Sequence, residues 1–475
     1  MNIRIVINFL GRILIGFSAI VFLPIIVAIY YNENIYPFIY SSIISLILGL
    51  IFYYFTKPES STLRFKESFA IVSLSWLFIA IIGSIPYLSV NVNFIDAFFE
   101  SMSGFTTTGA TIFDKPEILP KSILFWRAMT QWIGGLGIIV LFVVIFPIMA
   151  KEFLFRAEYS GITLNKLKPR IRETAIVLFG IYMLFTLTEI VTLYLLGVPI
   201  FDAITHTFAT LSTGGFSTHS ESIGFFREPT IEFTITIFAI IGGTNFAIPY
   251  YLLKGKLKVD VEFKLYLTIL IAATLIVTLL NLKTFNLNLY ESFRYSFFQV
   301  ASIMTTTGFT TYDFDKWNDN IKYILLILMF IGGCSGSTSG GLKVGRIYIL
   351  VKYAIMQIFK SAEPKSVRVI KYGDIPLKKD IIDNVIAFFI LYIIIFIFSS
   401  FMLCLSGYDI LTSTSAVITC LSNIGPGMGL AGASETYSPF PAHVKLILAL
   451  NMWIGRLEIY PVLALFVPSF WREKW

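Results

Sequence analysis

Four short glycine-containing motifs are the residues of this 475-residue chain best suited to chemistry. They are Thr107-Thr108-Gly109, Ser212-Thr213-Gly214, Thr306-Thr307-Gly308 and Asn423-Ile424-Gly425. Glycine adopts positive φ without steric cost, so the backbone carbonyls beside it can turn toward a common axis. Rings of carbonyls from four loops replace the hydration shell of potassium. The motifs therefore predict a potassium-selective filter, with the ion bound by the backbone of Thr108, Thr213, Thr307 and Ile424.

Each motif is preceded by an acidic residue and then by an apolar stretch long enough for a short helix. The acids follow an aromatic or aliphatic residue, at Ile95-Asp96, Phe201-Asp202, Tyr290-Glu291 and Tyr408-Asp409. An acid at the start of a helix complements the positive end of its dipole and leaves the carbonyl end directed at a cation. One such glycine turn would be an ordinary helix cap, but four copies about 100 residues apart indicate an internal repeat of helix, re-entrant pore helix, loop and helix.

The elements that position these loops belong to a membrane protein. Hydrophobic residues make up 56% of the chain and charged residues 14%, and the mean hydropathy of +0.79 is too high for a soluble exterior. A bilayer core needs about 20 apolar residues per helix, and such runs recur along the chain. The predicted class is an all-α polytopic membrane protein with about ten transmembrane helices and four pore repeats in pseudo-fourfold arrangement.

The charges divide the chain and orient it. A two-helix pair is predicted over residues 1–60, and the pore repeats over 61–165, 166–258, 259–372 and 373–475. The net charge of +7 comes from basic segments between these units, whereas the opposite loops carry acids. By the positive-inside rule the basic segments and both termini are cytoplasmic. The net positive charge therefore indicates the orientation of the chain in the membrane, and no nucleic-acid partner is predicted.

A glycine-rich segment in the third repeat predicts a broken helix. About 30 residues at 1.5 Å each would overshoot the hydrocarbon core, and glycine destabilises a helix interior by about 1 kcal/mol. The residues singled out are those of this break and a mid-helix arginine, whose charge is costly at membrane depth: Gly333, Cys334, Ser335, Gly336, Ser337, Thr338, Ser339, Gly340 and Arg456. Two alternatives stay open. Gly332, Gly336 and Gly340 have the spacing of a close helix interface, and Arg456 could bridge two helices.

Other functions find less support in the residues. Gly427-Met428-Gly429-Leu430-Ala431-Gly432 matches a dinucleotide fingerprint, but it follows a pore helix where that fingerprint needs a strand. The three histidines are not at ligand spacing, and the spans contain no paired carboxylates or nucleophile motif. The chain is therefore predicted to be neither an enzyme nor a nucleotide-binding protein. An inverted-repeat carrier is disfavoured because the four repeats share one orientation.

The repeats, their motifs and the extra N-terminal pair resemble the Trk/Ktr/HKT superfamily of cation transporters, and in particular its TrkH-like bacterial potassium uptake subunits. The resemblance covers nearly the whole chain. It implies that the four loop glycines form the selectivity filter, and that the broken segment at residues 333–340 lies beneath it and acts as a gate together with Arg456. Sodium-preferring plant HKT relatives carry serine at the first filter position, so Gly109 favours potassium. Asn423, Ile424 and Pro426 depart from the family form and make the fourth loop asymmetric.

The same resemblance implies a location and partners. We expect a multi-pass protein of the bacterial cytoplasmic (inner) membrane, a homodimer, and a cytoplasmic TrkA-like subunit that binds the regulatory nucleotide. The basic loops at 151–172 and 343–379 could bind that subunit or anionic membrane lipid. Potassium is then the ion that this chain is expected to bind, and no nucleotide is expected to bind to it. A symporter coupled to protons or sodium, or a less selective sodium and potassium transporter, remains the alternative.

Overall fold

The fold is built almost entirely from helices. The computed structural model describes residues 1–56, 64–154, 171–253, 255, 260–285, 288–365 and 368–472, with the backbone alone at 65, 138–154, 171–173, 253, 284 and 285. Its helices are α1 (Ile3–Ile20), α2 (Leu23–Tyr30), α3 (Tyr36–Phe55), α4 (Phe65–Gly83), α5 (Phe94–Phe105), α6 (Lys121–Leu154), α7 (Ile171–Leu195), α8 (Ile200–Leu211), α9 (Pro229–Gly242), α10 (Ala247–Leu253), α11 (Val261–Phe285), α12 (Leu289–Met304), α13 (Asp319–Phe330), α14 (Val344–Ala362), α15 (Lys379–Leu405), α16 (Ile410–Leu421), α17 (Ala442–Arg456), α18 (Tyr460–Ala464) and α19 (Pro468–Trp471). Two short strands, β1 (Lys371–Tyr372) and β2 (Ile375–Pro376), pair as an antiparallel hairpin. The predicted all-α class is confirmed.

Long apolar helices identify a multi-pass membrane protein. Within the described residues, six segments are long and apolar enough to cross a bilayer: Ile3–Tyr30, Tyr36–Phe55, Lys66–Val90, Thr174–Leu195, Val261–Lys283 and Lys379–Leu405. Many of their large side chains face outward, as expected of helices in lipid; Ile26 is 67% exposed and Phe398 is 64% exposed.

Each repeat contributes a first helix, a short pore helix and a second helix. In chain order these are α4, α5 and α6; α7, α8 and α9; α11, α12 and α13; and α15, α16 and α17. The pore helices have 12, 12, 16 and 12 residues, too few to span a bilayer.

The second helix is interrupted in three of the repeats. The predicted break in the third repeat separates α13 from α14. The structure adds breaks between α9 and α10 and between α17 and α18, which the sequence did not predict. At the last of these, Glu458 and Ile459 have φ of 58° and 64°. Glutamate and isoleucine rarely adopt positive φ, so the sequence gives no indication of a break at these residues.

Small residues hold the N-terminal pair together, and aromatic rings pack it on the first repeat. A methyl group on Gly11 would lie 2.7 Å from the carbonyl oxygen of Gly49, so α1 and α3 approach backbone to backbone. Beneath them, the Trp126 ring lies 6.2 Å from Phe17 and 6.0 Å from Phe105, and its indole nitrogen donates to the Gly83 carbonyl at 3.0 Å. This packing fixes the end of α5, from which the first loop starts.

Candidate ion filter and intramembrane loop

The predicted acids lie at the starts of the pore helices. Asp96, Asp202 and Glu291 are in the first turns of α5, α8 and α12, and Asp409 is the N-cap of α16. The Asp409 carboxylate accepts a hydrogen bond from the Thr412 amide at 3.1 Å. These helices therefore carry negative charge at the end where the dipole is positive, as expected from the sequence.

All four pore helices end in the same turn. A residue with positive φ is followed two positions later by a glycine with positive φ, and the pairs are Thr107 (53°) with Gly109 (83°), Thr213 (54°) with Gly215 (78°), Thr306 (58°) with Gly308 (80°), and Asn423 (56°) with Gly425 (101°). The amide between them bonds back to the helix at 2.8 Å each time, from Thr108 to Ser103, Gly214 to Ala209, Thr307 to Ser302 and Ile424 to Thr419. The repeat seen in the sequence is thus a repeat of backbone conformation.

The turn corrects the alignment of the second loop by one residue. Gly215, not Gly214, has the positive φ of the other filter glycines, and Gly214 occupies the position of Thr108. The residue equivalent to Gly109 is therefore Gly215 and not Gly214 as predicted. The carbonyl equivalent to that of Thr108 is accordingly the Gly214 carbonyl instead of the Thr213 carbonyl. Two consecutive glycines permit either register in the sequence, and only the backbone conformation separates them.

The four loops close a ring. A methyl group on each filter glycine would collide with the carbonyl oxygen of the next loop: Gly109 with Gly214 at 2.2 Å, Gly215 with Thr307 at 2.0 Å, Gly308 with Ile424 at 1.8 Å, and Gly425 with Thr108 at 2.6 Å. The loops therefore follow one another in chain order, and the fourth meets the first. Glycine is needed here both for its φ and for the close approach of neighbouring loops.

Buried polar side chains brace the ring from behind. Gln131, on α6, donates to the Gly214 carbonyl at 2.6 Å and accepts from the Phe216 amide at 3.0 Å. Asn423 donates to the Thr108 hydroxyl at 3.0 Å, which ties the fourth loop to the first. Sequence reasoning missed Gln131; its signal is a polar residue in an apolar helix close to a glycine motif.

A buried ion pair supports the first and second loops. Arg127 donates to Glu100 at 2.8 Å, to the Ser217 carbonyl at 3.0 Å and to the Thr111 hydroxyl at 3.0 Å. Glu100 also accepts from the Ile112 amide at 2.9 Å. Removing one member of such a pair leaves an uncompensated buried charge, so the pair holds its loops firmly in place.

A cavity opens above the ring. It is lined by all four glycines with positive φ, Gly109, Gly215, Gly308 and Gly425, and by the acids Asp114 and Glu435. At its rim, Glu117 accepts hydrogen bonds from the amide and hydroxyl of Ser220 at 2.5 and 2.7 Å. Burial acts to raise the pKa of Glu117, but these hydrogen bonds outweigh it and hold the pKa below its ordinary value. The Glu117 carboxylate therefore stays ionised beside the cavity.

Two histidines meet behind the second loop. The rings of His206 and His219 are stacked with centroids 6.2 Å apart, and the His219 ring lies 3.7 Å from Asp202. His206 bonds to the Asp202 carbonyl at 2.8 Å and to the Ser217 hydroxyl at 3.0 Å. The sequence did not predict this cluster. Within the described ranges, no group of three or more His, Cys, Asp or Glu is arranged to hold a metal ion.

The glycine-rich segment of the third repeat is an irregular loop inside the protein. It leaves α13 at Ile331 and returns at Leu342, where a parallel bridge between these residues closes it. The predicted residues Gly333, Cys334, Ser335, Gly336, Ser337, Thr338, Ser339 and Gly340 all lie within it. We call residues 332–343 the intramembrane loop.

This loop lies against the carboxyl ends of the pore helices, on the side of the ring opposite the cavity. The Thr338 hydroxyl donates to the Leu211 carbonyl at 2.9 Å, and the Gly340 amide donates to the Thr306 hydroxyl at 2.8 Å. A methyl group on Gly340 would lie 2.1 Å from the Ser422 carbonyl oxygen. The loop thus contacts the second, third and fourth pore turns at once.

Arg456 reaches the loop from the fourth repeat. It is the last residue of α17 instead of a mid-helix residue as predicted, because the helix breaks immediately after it. Its guanidinium donates to the Thr338 carbonyl at 2.5 Å and to the Gly134 carbonyl on α6 at 3.1 Å. Next to it, Glu458 pairs with Arg346 of α14 at 2.6 Å. A positive charge and a folded loop therefore lie together beneath the ring.

Comparison with known proteins gives one consistent family. The family model of TrkH, a cation transport protein, matches residues 34–473. The chain is 40% identical over 488 aligned residues to the Trk system potassium uptake protein TrkH of Salmonella typhimurium, covering all of both chains. It is 34% identical to TrkG, a Trk system potassium uptake protein of Escherichia coli, with 99% of each chain covered.

A solved structure agrees along the whole chain. The crystal structure of the potassium transporter TrkH from Vibrio parahaemolyticus matches with a TM-score of 0.89 and 35% sequence identity. The match covers 99% of this chain and 100% of that one. The likeness therefore includes the ring, the intramembrane loop and the N-terminal pair.

Proposed function

The chain belongs to the TrkH family of cation transport proteins, and from this premise we propose that it carries potassium into the cell across the bacterial cytoplasmic membrane. The observation that carries the proposal is the ring of four glycine turns, in which a carbonyl oxygen of each loop lies against the glycine of its neighbour. An ion entering it exchanges water for the carbonyl oxygens of Thr108, Gly214, Thr307 and Ile424. The name shared by the relatives, potassium uptake protein, supports the choice of ion.

The side chains of the filter turns complete the predicted site. The set is Thr107, Thr108, Gly109, Ser212, Thr213, Gly214, Thr306, Thr307, Gly308, Asn423, Ile424 and Gly425, to which we add Gly215. The buried Thr107 hydroxyl and Asn423 amide oxygen have no hydrogen-bond partner among the described residues. Such atoms suit a path that water or a cation occupies.

We assign the gate to the intramembrane loop and Arg456. The loop lies across the inner side of the ring and must move before an ion can leave it. Arg456 adds a like charge to a passing cation and joins the loop to the first repeat through Thr338 and Gly134. The close-packing alternative for the loop glycines describes the closed state of the same element.

The last part of the proposal concerns regulation of transport by other subunits. Trk system names imply other components, and we propose a cytoplasmic TrkA-like nucleotide-binding subunit and a homodimeric membrane part. In the 343–379 segment, exposed basic residues are available for contact: Lys352, Lys360, Lys365, Arg368, Lys371 and Lys379. The other predicted basic segment, 151–172, lies largely outside the described residues. Both termini are placed on the cytoplasmic side in this proposal.

A proton-coupled symporter is the second candidate, and one observation favours it. Glu189 is completely buried in α7, behind the second pore helix, and makes no ion pair within the described part of the chain. A carboxyl group at such a depth is costly to ionise and is a typical proton carrier in transporters.

The experiment is uptake by potassium-depleted cells that lack their own potassium uptake systems. We expect this chain to restore rubidium uptake and growth at low potassium, and Gly109→Ser to admit more sodium because a side chain there pushes on the Gly214 carbonyl. Equal sodium and rubidium uptake in both forms would remove the support for a selective filter.

A further inference from the structure

A buried carboxylate outside the ring holds both ends of the intramembrane loop. Glu262 lies in the first turn of α11 and is 2% exposed. One of its oxygens accepts hydrogen bonds from the Ser335 amide at 2.8 Å, the Ser335 hydroxyl at 3.0 Å and the Gly345 amide at 2.9 Å. Ser335 is near the start of the loop, and Gly345 is in the first turn of α14, immediately after its end.

The second carboxylate oxygen faces the β1–β2 hairpin. The Tyr372 hydroxyl, on β1, donates to it at 3.3 Å, and Tyr372 is only 5% exposed. The Tyr372 ring also lies 5.5 Å from Tyr348 of α14. On the other face of the hairpin, Lys371 and Asp374 are exposed. The hairpin therefore has one side available to a partner and one side bonded to the group that holds the loop.

Glu262 differs in its contacts from another buried acid in the first turn of a helix. Glu67, in the first turn of α4, is equally buried at 2% and accepts from the Asn2 amide at 2.8 Å, a contact remote from the loop. Glu262 instead receives donors from the loop, from α14 and from the hairpin. A methyl group on Gly345 would lie 2.9 Å from its oxygen, so α14 needs glycine for this approach.

We propose that Glu262 is the positioning residue of the intramembrane loop, and that Tyr372 connects it to the β1–β2 hairpin, through which a movement at the membrane surface reaches the loop. The inference deepens the gating proposal and rests on it for any effect on ion flux. The positioning itself does not depend on ion conduction. Loss of the carboxylate would leave three donors, the Ser335 amide, the Ser335 hydroxyl and the Gly345 amide, without a hydrogen-bond acceptor in the part of the chain that the structure describes, and the loop would open more often.

Cys334, adjacent to Ser335, reports the position of the loop. It is a free cysteine, 1% exposed, and its amide donates to the Gly243 carbonyl at 2.9 Å. The test is the rate at which N-ethylmaleimide labels Cys334 in the purified full chain, read by peptide mass spectrometry. We expect Glu262→Ala to label faster by about tenfold or more, because several hydrogen bonds to a charged group are lost together.

Matched variants separate positioning from general loosening. Glu262→Gln keeps an acceptor oxygen and should label at close to the rate of the unmodified chain, and Tyr372→Phe should label at an intermediate rate. Glu67→Ala removes an equally buried acid away from the loop and should leave Cys334 protected. If Glu262→Ala fails to fold, Tyr372→Phe and Ser335→Ala still test the contact.

Two results would overturn the inference: Cys334 labelling in folded Glu262→Ala or Ser335→Ala at the unmodified rate, or equally fast labelling in Glu67→Ala. Rubidium flux measured on the same variants keeps the two proposals apart. Faster labelling without higher flux would retain the positioning role of Glu262 and contradict the gate.

Discussion

At the residue scale, the second filter turn depends on which of two adjacent glycines is the structural one. Gly215 has φ of 78° and touches the Thr307 carbonyl, whereas a methyl group on Gly214 would meet the Gln131 side chain at 2.5 Å. At Gly215 the obstacle is the backbone of the neighbouring loop, which cannot move without distorting the ring. At Gly214 the obstacle is the Gln131 side chain, which can change its rotamer. The two positions therefore differ in what a substitution would displace.

We predict that Gly215→Ala lowers rubidium uptake at least about tenfold, while Gly214→Ala has a smaller effect. Alanine in the left-handed region costs about 1–2 kcal/mol before any collision is counted, and the collision with the Thr307 carbonyl adds to it. Initial uptake rates at equal membrane expression are the measurement. A larger loss for Gly214→Ala would restore the register taken from the sequence.

At the element scale, the intramembrane loop and the break after α17 form one closed arrangement. Arg456 joins the loop to α6, and Glu458 joins the segment after α17 to Arg346 of α14. Two broken helices therefore support each other beneath the ring.

Substitution of Arg456 should raise flux. Arg456→Met removes both hydrogen bonds and a like charge that opposes a cation by up to about 4 kcal/mol at close range in an effective dielectric constant near 20. We expect rubidium flux in proteoliposomes to rise about tenfold. Arg456→Lys keeps the charge but loses the forked geometry, and should give an intermediate rate. Unchanged or lower flux in folded Arg456→Met would contradict the gate.

The sequence predicted these elements unevenly, for physical reasons. The pore helices were predictable because an acid, an apolar stretch and a glycine turn are local features that recur in order. The break at Glu458 and Ile459 was not, since positive φ at these residue types depends on their surroundings. The side-chain hydrogen bonds of Gln131, Arg127 and Glu262 are with residues 16 or more positions away along the chain, and no local sequence pattern predicts them.

At the scale of the whole molecule, the ring is formed by backbone carbonyls and is flanked by hydroxyl and amide side chains. None of these groups titrates near neutral pH, so the ring itself contains no proton carrier. Glu189 is buried in α7 and is not one of the groups that form the ring. We therefore propose passive flow down the electrochemical gradient instead of coupling to protons.

The reversal potential distinguishes the two candidate functions. We expect the current through this chain to reverse at the potassium equilibrium potential whether or not a pH gradient is imposed, and Glu189→Gln to leave that potential unchanged. Current–voltage curves in bilayers under imposed potassium and pH gradients make the measurement. A reversal potential that shifts with the pH gradient, and loses this shift in Glu189→Gln, would favour the symporter.

The most direct test of the ring is crystallography of the full chain grown in rubidium, with the anomalous signal used to locate the ion. We predict a peak on the axis between the carbonyl oxygens of Thr108, Gly214, Thr307 and Ile424, absent from crystals grown in sodium. A transport-competent protein with no rubidium in this ring, or with rubidium bound only elsewhere, would contradict the account.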